Sequence, residues 1–455
     1  MRTNRSTAIS VGVAFTAIIG AALATPAAAV DPEPAQKPRV SVEYFPEPGG
    51  EGRRTEVPVN TDTVSGRPAA RSLAPAAETT DGEVGKLSVT GSPADRLDVV
   101  IVGDGYTADQ QEAFHTAAAT KWAAITDIEP YSSYQGLMNV WTVDAVSAES
   151  GITGDPTADV AKDTALGSYF WCSQTERLIC ADIDKVASYA AKAPEADLVI
   201  VISNSTKYGG AGYSGLEAEG YPFDGVSTLS SDNEQSSMIA AHEIAHSVGL
   251  LADEYTYDSY GTWTGGEVPD INSSTFTAEQ MAANRTKWYR WLGESDPTGG
   301  TVSTYEGSSY YPFGIYRPTG NSLMRALNIS EFNLPGREAM IAGFYREANA
   351  LSSEVATDSA ILRTSRIKVS RAELTGLAAP ELRWYVDGRP VKRAQGHSSV
   401  VPAALGVPAD GRTHTVTVTS VDGTASVRDP EVRAEATEKL TWTVKASGRK
   451  GHRQR

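Results

Sequence analysis

The stretch "SSMIAAHEIAHSVGLLADEY", Ser236 to Tyr255, constrains this chain more than any other. Small apolar residues flank two histidines, His242 and His246, which lie four positions apart and share one face of a predicted helix. A helix carrying "MIAA" before such a pair and "SVGLL" after it belongs in the interior rather than at the surface. Two imidazoles in so apolar a setting need partners. A shared metal ion satisfies both, and Glu243, beside the first histidine, then suits a general base working on metal-bound water. The plainer reading, a chance HExxH, leaves the burial of the histidines unexplained.

A catalytic zinc site takes a third protein ligand and keeps one position open for water. The remaining histidines, His115, His397, His414 and His452, do not follow closely after this helix, so a carboxylate is the economical donor. Gly249 is expected to end the helix and turn the chain back. Asp253 is the first carboxylate beyond it and ranks ahead of Glu254 and Glu279, although a helix-terminal or ion-pairing role competes for it. Further on, "NSLMR" offers a tight turn in which Met324 can form an apolar floor to the metal. Alone, a methionine is more often ordinary core packing.

The chain has 455 residues, enough for two or three domains, and its eight tryptophans suit a globular protein. A net charge of −16 excludes a broad electrostatic footprint for nucleic acid. Arg2 and Arg5, the apolar run Ala8 to Ala24 and the small-residue site Ala27-x-Ala29 predict a secretory signal peptide over 1–29. No later run is apolar enough for a membrane span, so a secreted protein, expected to be a monomer, follows. In that compartment the two cysteines, Cys172 and Cys180, predict a disulfide closing a short loop.

Residues 30–94 have Pro/Ala-rich linker or pro-region composition, interrupted by one strand-like run, "RVSVEYF". A zymogen role is open there, but no residue demands one. From 95 to 351 strands alternate with helices: "RLDVVIVGDGYT", then a helix opened by the capping box of Thr107 and Gln110, "GLMNVWTVDAV", "DIDKVASYAAKA" and "ADLVIVISN". This predicts an α/β (α+β) domain with parallel strands. Residues 352–446 alternate apolar and polar positions around Asp-Gly turns, which predicts a small all-β, Ig-like sandwich. A basic, disordered tail is expected over 447–455.

The runs "VIVGDGYTADQ", "ERLICADIDK", "DLVIVISNSTKYGGAG", "HEIAHSVGLLADEY" and "YEGSSYYPFGIYRPTGNSLMR", followed by "FNLPGREAMIAGFY", together resemble the bacterial IgA-type zinc metallopeptidase family. The resemblance spans roughly 95–350 and implies a metzincin-like fold. It implies one catalytic Zn2+ held by His242, His246 and Asp253, with Glu243 as base, Met324 in the turn beneath, and a protein or peptide as substrate. Ser322 and Leu323 depart from the cysteine that many relatives carry near that turn. Peptide hydrolysis would then run through Glu243, with "SNSTKYGGAG" as an edge strand able to take an extended substrate. Tyr310, Tyr311 and Tyr316 are candidates to assist the oxyanion, with packing the plainer role for each. The alternative is an exported binding protein on an inactive peptidase scaffold, which the intact histidines and Glu243 do nothing to favour.

Overall fold

The computed structural model of the chain describes residues 39–59 and 81–446. The expected signal peptide and basic tail lie outside the described residues. Strands β1 (Arg39–Tyr44), β2 (Arg53–Pro58), β3 (Val84–Ser88) and β4 (Leu97–Asp104) lead into helices α1 (Gln111–Thr126) and α2 (Tyr131–Tyr134). Then come β5 (Met138–Val143), α3 (Ile183–Ala190), β6 (Leu198–Ser203), β7 (Gly210–Tyr213), β8 (Val226–Ser230) and α4 (Ser236–Gly249). The eight strands form one sheet in the order β2-β1-β7-β8-β6-β4-β5-β3. Its centre, β5-β4-β6-β8, is parallel, as strand–helix alternation requires, and its flanks are antiparallel.

Alternating residues of β4 feed two cores. Val99 and Ile101 pack with α1 and α4, while Val100 and Val102 face the α3 side. The Thr107–Gln110 capping box is formed and opens the turn leading into α1. Asp104, at the end of β4, accepts hydrogen bonds from the backbone of Leu166 and Ser168, so "GDGY" is a turn that organises a loop.

The linker-like composition of 30–94 holds three strands of this sheet, of which only β1, the run "RVSVEYF", shows in the sequence. β3 is short and half-buried, and so carries little alternation, yet it forms one edge on β5. The hairpin β1–β2 adds to the other side through β7, pairing Val42 with Tyr213 and Glu43 with Gly212. Val40, Val42, Val57 and Val59 of the hairpin are buried in the sheet's core. Each such valine contributes about 1.5–3 kcal/mol relative to exposure. The strand expected at an edge, β7, is therefore covered by the chain's own N-terminal segment.

Beyond α4 come α5 (Ala278–Asn284), the hairpin β9 (Tyr305–Ser308) and β10 (Tyr311–Arg317), and α6 (Leu334–Glu347), which packs along α4. The C-terminal residues make two further sheets. One joins β11 (Leu351–Ser353), β13 (Ile367–Arg371) and β16 (Ser399–Val400). The other joins β12 (Ile361–Leu362), β18 (Thr437–Lys445), β17 (Thr413–Val421), β14 (Glu381–Val386) and β15 (Arg389–Pro390). They enclose one core, in which Trp384 and Trp442 stack at 6.1 Å. Asp387 and Gly388 both adopt positive φ in the turn from β14 to β15, as an Asp-Gly hairpin needs. Asp422 ties this part to the larger one, accepting from the hydroxyls of Tyr134 and Tyr345.

Candidate metal centre

Helix α4 is buried from Ser236 to Gly249 except for a few positions, so its polar side chains must find partners inside the protein. Each imidazole donates from Nδ1 to a backbone carbonyl: His242 to Leu323 at 2.9 Å and His246 to Leu251 at 2.6 Å. Those bonds fix both rings with Nε2 turned to the same point, where the two nitrogens stand 3.0 Å apart. Phe45 packs edge-on against the His242 ring.

The helix ends at Gly249, as expected, but the glycine does not make the left-handed turn. It is the last helical residue, and Leu250 takes the left-handed conformation at φ 50°. The glycine is needed for space, because a Cβ there would lie 2.6 Å from the sulfur of Met340 on α6. The chain then returns, and Asp253 Oδ1 reaches 3.1 Å from His242 Nε2 and 3.3 Å from His246 Nε2. Its other oxygen accepts from the Tyr310 hydroxyl at 2.6 Å. Ser309 and Tyr310 have φ of 48° and 74°, a tight turn held by the bond from Ser309 N–H to the Asp253 carbonyl.

Of the other ranked carboxylates, Glu254 is buried but turned away, accepting from Asn272, Asn333 and Ser322. Glu279 lies exposed on α5. Met324 is buried in the core shared with α4, and its carbonyl accepts from Glu254 N–H. Ser322 holds this turn with its hydroxyl, accepting from Met324 N–H while donating to Glu254. The disulfide Cys172–Cys180 is formed and lies in the core beside α3.

A fourth carboxylate escaped the sequence reading. Glu43 of β1 is buried, with Oε1 3.2 Å from His242 Nε2 and Oε2 3.5 Å from His246 Nε2. Among the described residues, Glu43, His242, His246 and Asp253 form a group whose donor atoms all lie within 4.8 Å of one another. Although so close to His242, Oε1 of Glu43 makes no well-aligned hydrogen bond. Convergent, buried and incompletely bonded donors of nitrogen and oxygen type fit a divalent ion. The strand "RVSVEYF" was visible in the sequence, but nothing local could say which neighbour it would face.

Glu243 points to the same region from below β7. A Cβ at Gly212 would come within 1.8 Å of the Glu243 carboxylate, so only glycine lets β7 pass over this side chain. Glu243 Oε1 is buried without a partner among the described residues. Burial, joined by the nearby Glu43 charge and opposed by both histidines, pushes the Glu243 carboxyl up to about 8. Burial acts to lower the His242 imidazole, but Glu43 and Asp253 prevail and raise it to about 10. His246 is likewise raised against its burial by Asp253 and Glu43. Burial would raise Asp253, yet the two histidines hold it well below the usual carboxylate range.

Two histidines and two carboxylates gathered in the interior, with a third carboxylate free beside them, define a centre suited to a divalent ion and a proton-transfer group. Residues 86–299 and 292–344 match the IgA peptidase M64 family, and the chain belongs to it. No curated protein matches the chain significantly.

Proposed function

We propose that the chain is a secreted zinc-dependent endopeptidase in which His242, His246 and Asp253 hold one catalytic ion and Glu243 is the general base. The observation that carries this reading is the Glu243 carboxylate, buried without a partner beside a convergent set of donors. A zinc ion held by these residues would supply Lewis acidity toward a water molecule and the scissile carbonyl. Glu243 takes a proton from the attacking water and passes it to the leaving amine. β7 would present main-chain groups to an extended peptide, with Gly212 allowing that peptide to approach Glu243. Tyr310 positions Asp253 through its hydroxyl. The same reading takes the larger domain as metzincin-like, with Met324 in its supporting turn, and the C-terminal sheets as an Ig-like sandwich.

Glu243→Gln tests it. The variant should keep its zinc by elemental analysis while peptide hydrolysis falls by about 10²–10⁴-fold. Hydrolysis at the native rate by the purified variant would remove Glu243 from the chemistry.

A further inference from the structure

Glu43 has no role in the peptidase reading, and its presence conflicts with an open site. A catalytic zinc centre keeps one position for water or substrate, whereas four protein ligands make a closed, structural one. Here the fourth donor comes from β1, and the way β1 is held shows what it replaces. β1 pairs antiparallel with β7, and Glu43 stands opposite Gly212. Gly212 is the residue beneath which the Glu243 carboxylate lies. Backbone and carboxylate of Glu43 thus occupy the place above the base where a substrate strand and its reacting carbonyl would have to sit.

The hairpin is fastened on several sides. Phe45 is buried against His242, and Gly52 passes so close that a Cβ would lie 2.3 Å from the Glu43 carboxylate and 2.6 Å from the Tyr255 ring. Arg54, opposite Glu43 on β2, donates to the Tyr310 hydroxyl and to Ser214, and its guanidinium lies over the Tyr310 ring. Arg53 lies over Tyr257. These contacts place strand, carboxylate and arginine across the base, the donors and the tyrosine wall at once.

We infer that the β1–β2 hairpin is a built-in inhibitor: Glu43 closes the metal centre as its fourth ligand while β1 fills the substrate position on β7, so the protein is latent while the hairpin is in place. This rests on the proposed zinc peptidase reading and adds the regulation of that site. A permanently closed structural centre would need no general base beneath the covering strand, and Glu243, buried without a partner, is the group such a centre would lack.

The test uses the full chain loaded with Co2+, comparing native protein with Glu43→Gln, Glu43→Ala and Arg54→Ala. The probe is acetohydroxamate, which ligates the metal only at an open position, read by the cobalt visible spectrum. A second readout is the rate of metal extraction by dipicolinate. The native chain should bind acetohydroxamate at least tenfold more weakly than either Glu43 variant and lose its metal at least tenfold more slowly. Arg54→Ala should fall between them. Equal acetohydroxamate binding by native and Glu43→Gln chains would overturn the inference. So would loss of cobalt from folded Glu43→Ala as complete as from Asp253→Ala, because Glu43 would then be an integral ligand. If the Glu43 variants open to acetohydroxamate yet cleave no peptide from a mixed library, the closure stands and the peptidase reading falls. If none of the four chains binds cobalt, both fall.

Discussion

His414 on β17 and His242 on α4 each lie beside two carboxylates, and the comparison shows what makes a cluster a metal centre. His414 spreads its partners to opposite sides of the ring, Nδ1 2.7 Å from Asp387 and Nε2 3.1 Å from Asp410. Those oxygens stand around the imidazole and meet at no common point, and both carboxylates reach solvent. His242 gives its Nδ1 to a backbone carbonyl and turns Nε2, together with that of His246, toward Asp253 and Glu43. Each of these two histidines has two carboxylates within reach. Convergence and burial differ, and they decide whether an ion or a film of water satisfies the donors.

The strongest way to break the comparison is to remove one carboxylate from each cluster. Asp253→Ala should weaken zinc binding by more than the about 10–100-fold that loss of an outer partner costs. Asp387→Ala should leave metal content unchanged, with both read by elemental analysis after dialysis. Full zinc occupancy in Asp253→Ala would return the choice of ligand to Glu43, since Glu254 faces away and Glu279 is exposed.

What the sequence disclosed follows the same division between local and distant contacts. The i, i+4 histidines, Glu243 between them and the apolar flanks of α4 are set by neighbours along the chain, and so were legible. Asp253 followed from the short return after the helix, although the reason assigned to Gly249 was mistaken: it makes room for Met340 on another helix. The parallel strands β4, β5 and β6 showed as apolar runs because both faces of the sheet are covered. β1 looked like an isolated strand in linker composition. Its meaning depends on pairing with β7, a contact between distant segments that leaves no trace in local periodicity. Tyr310 was noted as a possible oxyanion helper, and its bond to Asp253 depends equally on the distant β9–β10 turn.

A smaller effect should come from the outer partner of the buried cluster. Tyr310→Phe deletes the hydroxyl that holds Asp253 Oδ2 while leaving the ring on Tyr257. Zinc affinity measured by competition with a chromophoric chelator should fall about tenfold. An unchanged affinity would mean that the Ser309–Tyr310 turn orients Asp253 through its backbone bond alone.

Proton uptake separates the clusters next. Glu43 and Asp253 raise His242 to about 10 and raise His246 as well, so the metal-free centre favours the protonated form of its imidazoles. An entering ion must expel those protons, and zinc affinity should therefore rise with pH. Titration calorimetry in buffers of different ionisation enthalpy should show net proton release on metal binding near pH 7. In the metal-free chain the sign is opposite. The stability these raised imidazoles contribute is full below their unfolded pKa of about 6.5 and is lost as pH rises toward 10. Melting of the metal-free protein should accordingly fall over that window, and a metal-free melting temperature that climbs from pH 7 to 10 would contradict the assignment.

His414→Ala should have the smallest consequence, and its pH dependence is what distinguishes it from a silent change. Hydrogen bonds to Asp387, then to Asp410, raise the pKa of His414, so its protonated form is favoured in the folded chain. The stability it supplies is present below the unfolded value of about 6.5 and disappears as pH rises through the raised value. The ion pairs are exposed and screened, so the melting difference between native and variant should be slight at pH 5–6, shrink further with added salt, and vanish by alkaline pH. Zinc content and peptide hydrolysis should match the native protein throughout. A measurable loss of zinc in His414→Ala would show that a spread, solvent-facing cluster can influence the centre, and would undo the distinction that convergence and burial draw between the two.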